Sequence, residues 1–100
     1  MPNKHTVVVI LEAKPGKDTE LKQALMQVIL PSRAEKSCLE YRLHQDSENP
    51  NQFILYENWE SKEEHQAQFN KPYIIELGNQ ISELLAKPFQ VYFAQEIMID

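Results

Sequence analysis

The sequence predicts an α+β domain with elements in the order β-α-β-β-α-β, and three observations predict it. Two segments near the ends of the chain, residues 5–12 and 89–99, are apolar on both alternating faces, as strands covered from both sides must be. Two stretches, one after each of the turns at Lys14-Pro15-Gly16-Lys17 and Lys71-Pro72, repeat apolar residues at helical spacing. Between them, two alternating segments flank a run of turn-forming residues and read as a hairpin.

The first strand carries Val7-Val8-Val9-Ile10-Leu11, β-branched and apolar on both parities, so it is expected at the centre of the sheet. After the first turn, Leu21, Ala24, Leu25, Val28 and Ile29 recur on one face and Lys22, Gln23 and Gln27 on the other, an amphipathic helix expected to stop before Pro31. Leu39, Tyr41 and Leu43 alternate with Glu40, Arg42 and His44 in the second strand. Asp46-Ser47-Glu48-Asn49-Pro50-Asn51 is turn chemistry throughout, and the third strand follows as residues 52–59. Ser61, followed three residues later by Glu64, reads as a capping box opening a short, mostly polar helix. Ile74, Leu77, Ile81, Leu84 and Leu85 then form a second apolar helical stripe, expected to run to Pro88 with Gly78 tolerated inside it. In the closing strand Phe89, Val91, Phe93, Ile97 and Ile99 share one parity, with Tyr92, Ala94 and Met98 on the other.

This order permits a four-stranded antiparallel sheet with both helices on one face. The other face of strands one, three and four is then apolar and uncovered. A second copy packing sheet to sheet is the expected cover, because a patch of that size is uncommon on a soluble monomer.

The 100 residues suit one domain spanning 1–100, and 42% apolar content supplies one modest core. Ten basic against 15 acidic residues give a net charge of -5, and no Lys/Arg cluster could neutralise a run of phosphates, so nucleic acid is not expected as a partner. The apolar runs Val7 to Leu11 and Ile54 to Tyr56 fall far short of the roughly 20 residues of a membrane span, so no membrane association is expected. The N-terminus has no signal-peptide layout, and the lone Cys38 cannot form an internal disulfide; both point to the cytoplasm. One cysteine excludes a cysteine-based metal site, and His5, His44 and His65 have no recognisable ligand spacing.

Four groups of residues carry a family resemblance: Ala13-Lys14-Pro15-Gly16-Lys17, Pro31-Ser32-Arg33-Ala34-Glu35, Cys38-Leu39-Glu40-Tyr41, and Phe53-Ile54-Leu55-Tyr56-Glu57-Asn58-Trp59. In that order and spacing, continued through Lys71-Pro72-Tyr73 and Leu84-Leu85-Ala86-Lys87-Pro88, the chain resembles the antibiotic biosynthesis monooxygenase family of small dimeric ferredoxin-like proteins. The resemblance implies a dimeric α/β-barrel-like assembly and a choice of chemistries. Among these are cofactor-independent oxygenation of phenols and quinols, haem degradation, and isomerisation of a phosphorylated sugar. Fold alone does not choose among them. Histidines that several members carry are replaced here by Gln68 and Tyr73, and Leu55 stands where the actinorhodin-type oxygenases have asparagine. The first strand lacks the asparagine associated with haem-degrading members.

Oxygenation without metal or flavin requires an electron-rich ring, a base for its phenolic proton, and a largely dry aromatic pocket. His65 is the expected base, on one helical face with Phe69, against the alternative that it only caps a polar edge. Trp59 shares parity with Phe53, Leu55 and Glu57; Trp59 and Phe53 are expected to wall the ring or simply to fill the core. Glu57 is expected either among apolar neighbours at the base of a pocket, with its neutral form favoured or with Arg33 or Arg42 as partner, or in an interface ion pair. Tyr73 keeps a hydroxyl that could donate to a bound phenolate, or it packs in the helix stripe. Asn58 is expected to face the dimer partner, His44 to be solvated or at the interface, and Cys38 to be a small packing residue. The leading expectation is a cofactor-independent monooxygenase of a small aromatic or quinol-type compound. The alternatives are a non-catalytic binding module and an isomerase of a small carbonyl metabolite.

Overall fold

The computed structural model describes residues 4–99. Strands β1 (His5–Glu12), β2 (Cys38–Gln45), β3 (Gln52–Trp59) and β4 (Gln90–Ala94) form one sheet in the order β2-β3-β1-β4, every neighbour antiparallel. Helices α1 (Asp18–Met26), α2 (Ile29–Arg33), α3 (Lys62–Ala67) and α4 (Pro72–Ile81) connect them. This is the ferredoxin-like arrangement, with β1 central as its two apolar faces require.

The register fixes which side chains meet. Val7 lies opposite Glu57 and Phe93, Leu11 opposite Phe53, and Tyr41 opposite Glu57, so the odd-numbered residues of all four strands share the helix-covered face. That face and the α1 stripe make the core: Val7, Leu11, Tyr41, Phe53, Leu55 and Trp59 from the sheet, and Leu21, Ala24, Leu25 and Val28 from the first helical stretch. Between β2 and β3 the Asp46 carboxylate accepts from the N–H groups of Glu48 and Asn49, closing the hairpin.

Three element boundaries differ from the sequence expectation. The first helix does not end at Pro31: it breaks at Gln27 and Val28 and resumes as α2, where Pro31 sits in the first turn and its missing N–H costs nothing. The last helix stops at Ile81 instead of reaching Pro88. Leu84 and Leu85 lie beyond it and lace the chain to the end of β1: Lys14 N donates to Leu84 O at 2.8 Å, Ala86 N donates to Glu12 O at 2.8 Å, and Leu85 pairs with Ala13. Tertiary backbone pairing there outweighs the helical periodicity. The last strand covers Gln90–Ala94 only, and residues 95–99 leave the sheet.

Candidate active site

Between the inner face of the sheet and helices α1 and α4 lies a cavity of about 270 Å³. Val7, Val9, Leu11, Leu55 and Val91 form its floor, Ile74, Leu77, Gly78 and Ile81 its roof, and Phe69 and Phe89 its sides. Four polar residues face this lining: Tyr41, Glu57, His65 and Gln68. A wall so largely apolar, with few polar groups, is the usual composition of a small-molecule site, here near the lower end of the roughly 300–1,000 Å³ range, with room for one or two fused rings.

Glu57 is the buried charge of the site, 3% exposed. Trp59 stands two residues on along β3, hence on the same face, and its Nε1 donates to Glu57 Oε1 at 2.9 Å. His65 Nε2 lies 3.7 Å from the same oxygen, within ion-pair reach but too long for a hydrogen bond. Glu57 Oε2 takes part in none of these contacts and is not among the sealed polar atoms, so among the described residues it is the oxygen left to the cavity. Burial raises the Glu57 carboxyl to about 7, with the Trp59 hydrogen bond opposing the rise.

His65 comes from α3, whose start is set by Ser61: its Oγ accepts from Glu64 N at 3.1 Å. The capping box is half realised, since the Glu64 carboxylate accepts from Ser37 Oγ instead of returning to the cap. The imidazole is enclosed by the rings of His5 (5.5 Å), Trp59 (5.7 Å), Phe69 (5.1 Å) and Phe93 (5.8 Å). Burial first, and then the neighbouring His5, lower His65 to about 4, so it is neutral at neutral pH. Its Nδ1 is sealed with no partner. A buried N–H without an acceptor costs more than a buried lone pair, so the ring proton belongs on Nε2, facing Glu57. The lone pair of His65 therefore points into a closed wall, whereas the free oxygen of Glu57 borders open space.

Gln68, in the 3-10 turn Gln68–Asn70, is also 3% exposed. Its Nε2 donates to Ser32 Oγ at 2.9 Å and to the Tyr73 hydroxyl at 3.3 Å, and Tyr73 in turn donates to Glu35 Oε2 at 2.9 Å. Lys71 Nζ stands 3.4 Å from Glu35 Oε1.

Of the residues singled out by sequence, His65, Glu57, Phe69 and Gln68 meet at the cavity. Tyr73 is outside its lining and its hydroxyl is committed to Glu35, so it supports Gln68 without facing a ligand. Trp59 and Phe53 are core residues behind the lining; Trp59 acts on the site through its hydrogen bond to Glu57 and its packing on His65. Arg33 does not partner Glu57: its Nε donates to Tyr41 O at 2.9 Å, outside the cavity, and Arg42 pairs with Glu40. The parity of Glu57 turns it inward, onto the helix-covered face. Asn58, on the parity opposite to Trp59, is buried, accepting from Thr6 and donating to Glu40. Burial and then Glu57 push the Cys38 thiol up to about 11, which keeps it protonated. Sequence reasoning missed Tyr41 and Val91 as lining, although strand parity with Glu57 and Val9 was the available signal. Among the described residues, no three His, Cys, Asp or Glu side chains converge as metal ligands.

The fold has counterparts in known proteins. A protein of Synechocystis, uncharacterised protein sll1783, is 31% identical over 81 residues, 81% of this chain; the chain spans about half the length of that curated relative, the match covering 55% of it. The crystal structure of PA3566 from Pseudomonas aeruginosa is 26% identical, with a TM-score of 0.93 over 98% of both chains. Rv0793 from Mycobacterium tuberculosis, at 23% identity and a TM-score of 0.89 over 96% of this chain and 97% of its own, shares the fold. Residues 5–76 match the model of the family described as antibiotic biosynthesis monooxygenase, which includes both Glu57 and the helix carrying His65. The chain belongs to the antibiotic biosynthesis monooxygenase family.

Proposed function

We propose that this protein is a cofactor-independent monooxygenase of a small phenolic or quinol-type compound, in which Glu57 removes the phenolic proton. The observation that carries the reading is a buried carboxylate bordering an apolar cavity with one oxygen uncommitted. A general base works best when its pKa is close to the operating pH, and burial brings Glu57 to about 7. Trp59 fixes the carboxylate by donating to Oε1, and the neutral imidazole of His65 stands 3.7 Å from that same oxygen. The titratable groups around Glu57 are His65 from α3, Tyr41 from β2, and Cys38 at the start of β2, with His5 of β1 behind His65. Burial drives the Tyr41 hydroxyl above its ordinary range, so Tyr41 stays protonated.

The chemistry closes without an added reductant. Proton transfer from the ring hydroxyl to Glu57 gives an electron-rich phenolate, which passes one electron to dioxygen. Recombination forms a C–O bond at an open ring carbon, and the O–O bond then breaks. One oxygen atom becomes a carbonyl of the quinone and the other leaves as water with both substrate hydrogens, so phenol plus dioxygen balances quinone plus water. The apolar lining strengthens the electrostatic effect of Glu57 and keeps solvent from the radical pair.

Oxygen uptake by the metal-free protein on a panel of phenols, quinols and naphthols tests this directly. Glu57→Gln, nearly isosteric, is expected to lower the rate by at least roughly 10²-fold, the usual contribution of a general base, and wild-type activity should rise with pH through about 7 as the carboxylate ionises. A Glu57→Gln variant that keeps wild-type uptake would overturn the assignment. No uptake across the panel, with ligand still raising the melting temperature, would leave a binding module or a non-oxidative isomerase.

The protein is proposed to act as a sheet-to-sheet homodimer. Val8, Ile10 and Ile54 are half-buried and Tyr56 and Tyr92 exposed on the outer face, and β4 is the most exposed strand, Tyr92 at 52% and Phe93 at 55%. Lone cysteine usage fits a cytoplasmic setting, and no described helix is long and apolar enough to cross a membrane.

A further inference from the structure

Glutamine carries a donor end and an acceptor end of nearly equal size, and which end faces a cavity decides what the cavity can recognise. Around Gln68 the choice is forced by a charge several residues away. The Glu35 carboxylate pairs with Lys71, whose Nζ lies 3.4 Å from Oε1. A carboxylate can only accept, so the Tyr73 hydroxyl, 2.9 Å from Glu35 Oε2, must spend its proton there. Tyr73 then has only lone pairs to offer Gln68, and the group 3.3 Å away has to be the amide nitrogen. Turning the amide over would set its oxygen against a hydroxyl oxygen with no proton between them. Ser32, a hydroxyl that can rotate, accepts the second hydrogen of the same nitrogen at 2.9 Å. Both amide hydrogens are thus used. The carbonyl oxygen Oε1 enters neither bond and is not among the sealed unpartnered atoms, while the residue lines the cavity three positions along from His65.

We propose that Gln68 is a specificity-determining residue: the Lys71–Glu35–Tyr73 chain fixes its amide so that Oε1 is the cavity's standing acceptor for a second hydroxyl or N–H on the ligand, apart from the hydroxyl that Glu57 deprotonates. The inference rests on reading this cavity as the ligand site, and not on the ligand being turned over. A ligand with a donor at each of two ring positions satisfies both Glu57 and Gln68. One with a single hydroxyl leaves the Gln68 carbonyl facing apolar ring edge without a partner, which costs binding. Tyr73, outside the lining, is a positioning residue that acts through Gln68.

The test is an anaerobic titration followed by the fluorescence of Trp59, the chain's single tryptophan, which is bonded to Glu57 at the cavity edge. The probes are 1,4-dihydroxynaphthalene and 1-naphthol, which differ by one hydroxyl. Wild type is expected to bind the diol about tenfold more tightly, the scale of one well-made hydrogen bond in a buried site. Gln68→Leu should lose the preference, binding the two probes within about twofold of each other or favouring 1-naphthol, because the diol's second hydroxyl loses its acceptor and 1-naphthol no longer strands a carbonyl. Tyr73→Phe, which leaves Gln68 in place but frees its amide to turn, should reduce the preference to about threefold or less; it decides the matter if Gln68→Leu does not fold. Equal binding of the two probes by wild type, no binding of either, or a preference that survives both substitutions overturns the proposal. Loss of oxygen uptake with the preference intact would remove only the oxygenase reading; uptake without any preference would remove only the role of Gln68.

Discussion

Glu57 shows how a strand pattern becomes chemistry. Parity along β3 put it on one face with Phe53, Leu55 and Trp59, so its inward orientation was legible from alternation alone. Its partner was not, because His65 reaches it from a helix outside the strand, and no local pattern distinguishes that contact from one with Arg33 or Arg42. The same residue carries a stability cost. Its folded carboxyl is raised from 4.5 to about 7, so the fold favours the protonated form: the stabilisation is complete below about 4.5 and is lost as pH rises through 7. At pH 8 ionising the buried group costs roughly 3 kcal/mol relative to pH 4. Urea unfolding of wild type and Glu57→Gln at both pH values should show the variant gaining on wild type by about that amount at the higher pH. His65 runs the other way, since its lowered value withdraws stability as pH falls from 6.5 towards about 4. Comparing the two proteins at each pH cancels that contribution. An unchanged difference between them would mean that Glu57 is not held neutral by burial.

At the scale of elements, the order of strands and helices was readable because each has its own period, and the ends were not. Pro31 looks like a stop, yet in the first turn of α2 it breaks no hydrogen bond. Leu84 and Leu85 keep the helical period of α4, yet their backbone is claimed by β1. Both outcomes depend on partners distant in sequence. The start of α3 was legible in the Ser61 cap, and the position of His65 depends on it. Ser61→Ala is expected to lower global stability by about 1 kcal/mol and to weaken ligand binding by loosening His65, both measurable by thermal melts with and without a naphthol. Gly78 lies within α4 on the cavity roof, and an added Cβ would meet nothing within 4 Å. Gly78→Ala should therefore stabilise the protein by roughly 0.5–1 kcal/mol and narrow the site, favouring a one-ring over a two-ring ligand in competition binding.

For the whole molecule, the decisive fact is a sheet with helices on one side only. The outer face carries Val8, Ile10, Ile54, Tyr56 and Tyr92 against a polar edge of Glu40, Arg42 and His44, a pattern of apolar centre and polar rim that suits a second copy. Light scattering at micromolar concentration should give twice the 11.7 kDa of one chain, and Ile10→Lys at the centre of that face should shift the mass to the monomer. A wild-type monomer would contradict the dimer.

The central claim is that the fold holds Glu57 in an apolar cavity as a base poised near neutral pH. The most direct measurement is the titration of its side-chain carboxyl carbon by ¹³C NMR, with the resonance assigned by its absence in Glu57→Gln. A midpoint near 7 is the result this account predicts. A midpoint near the ordinary glutamate value of about 4.3 would contradict it, because the carboxylate would then be solvated and no better a base than one on the surface.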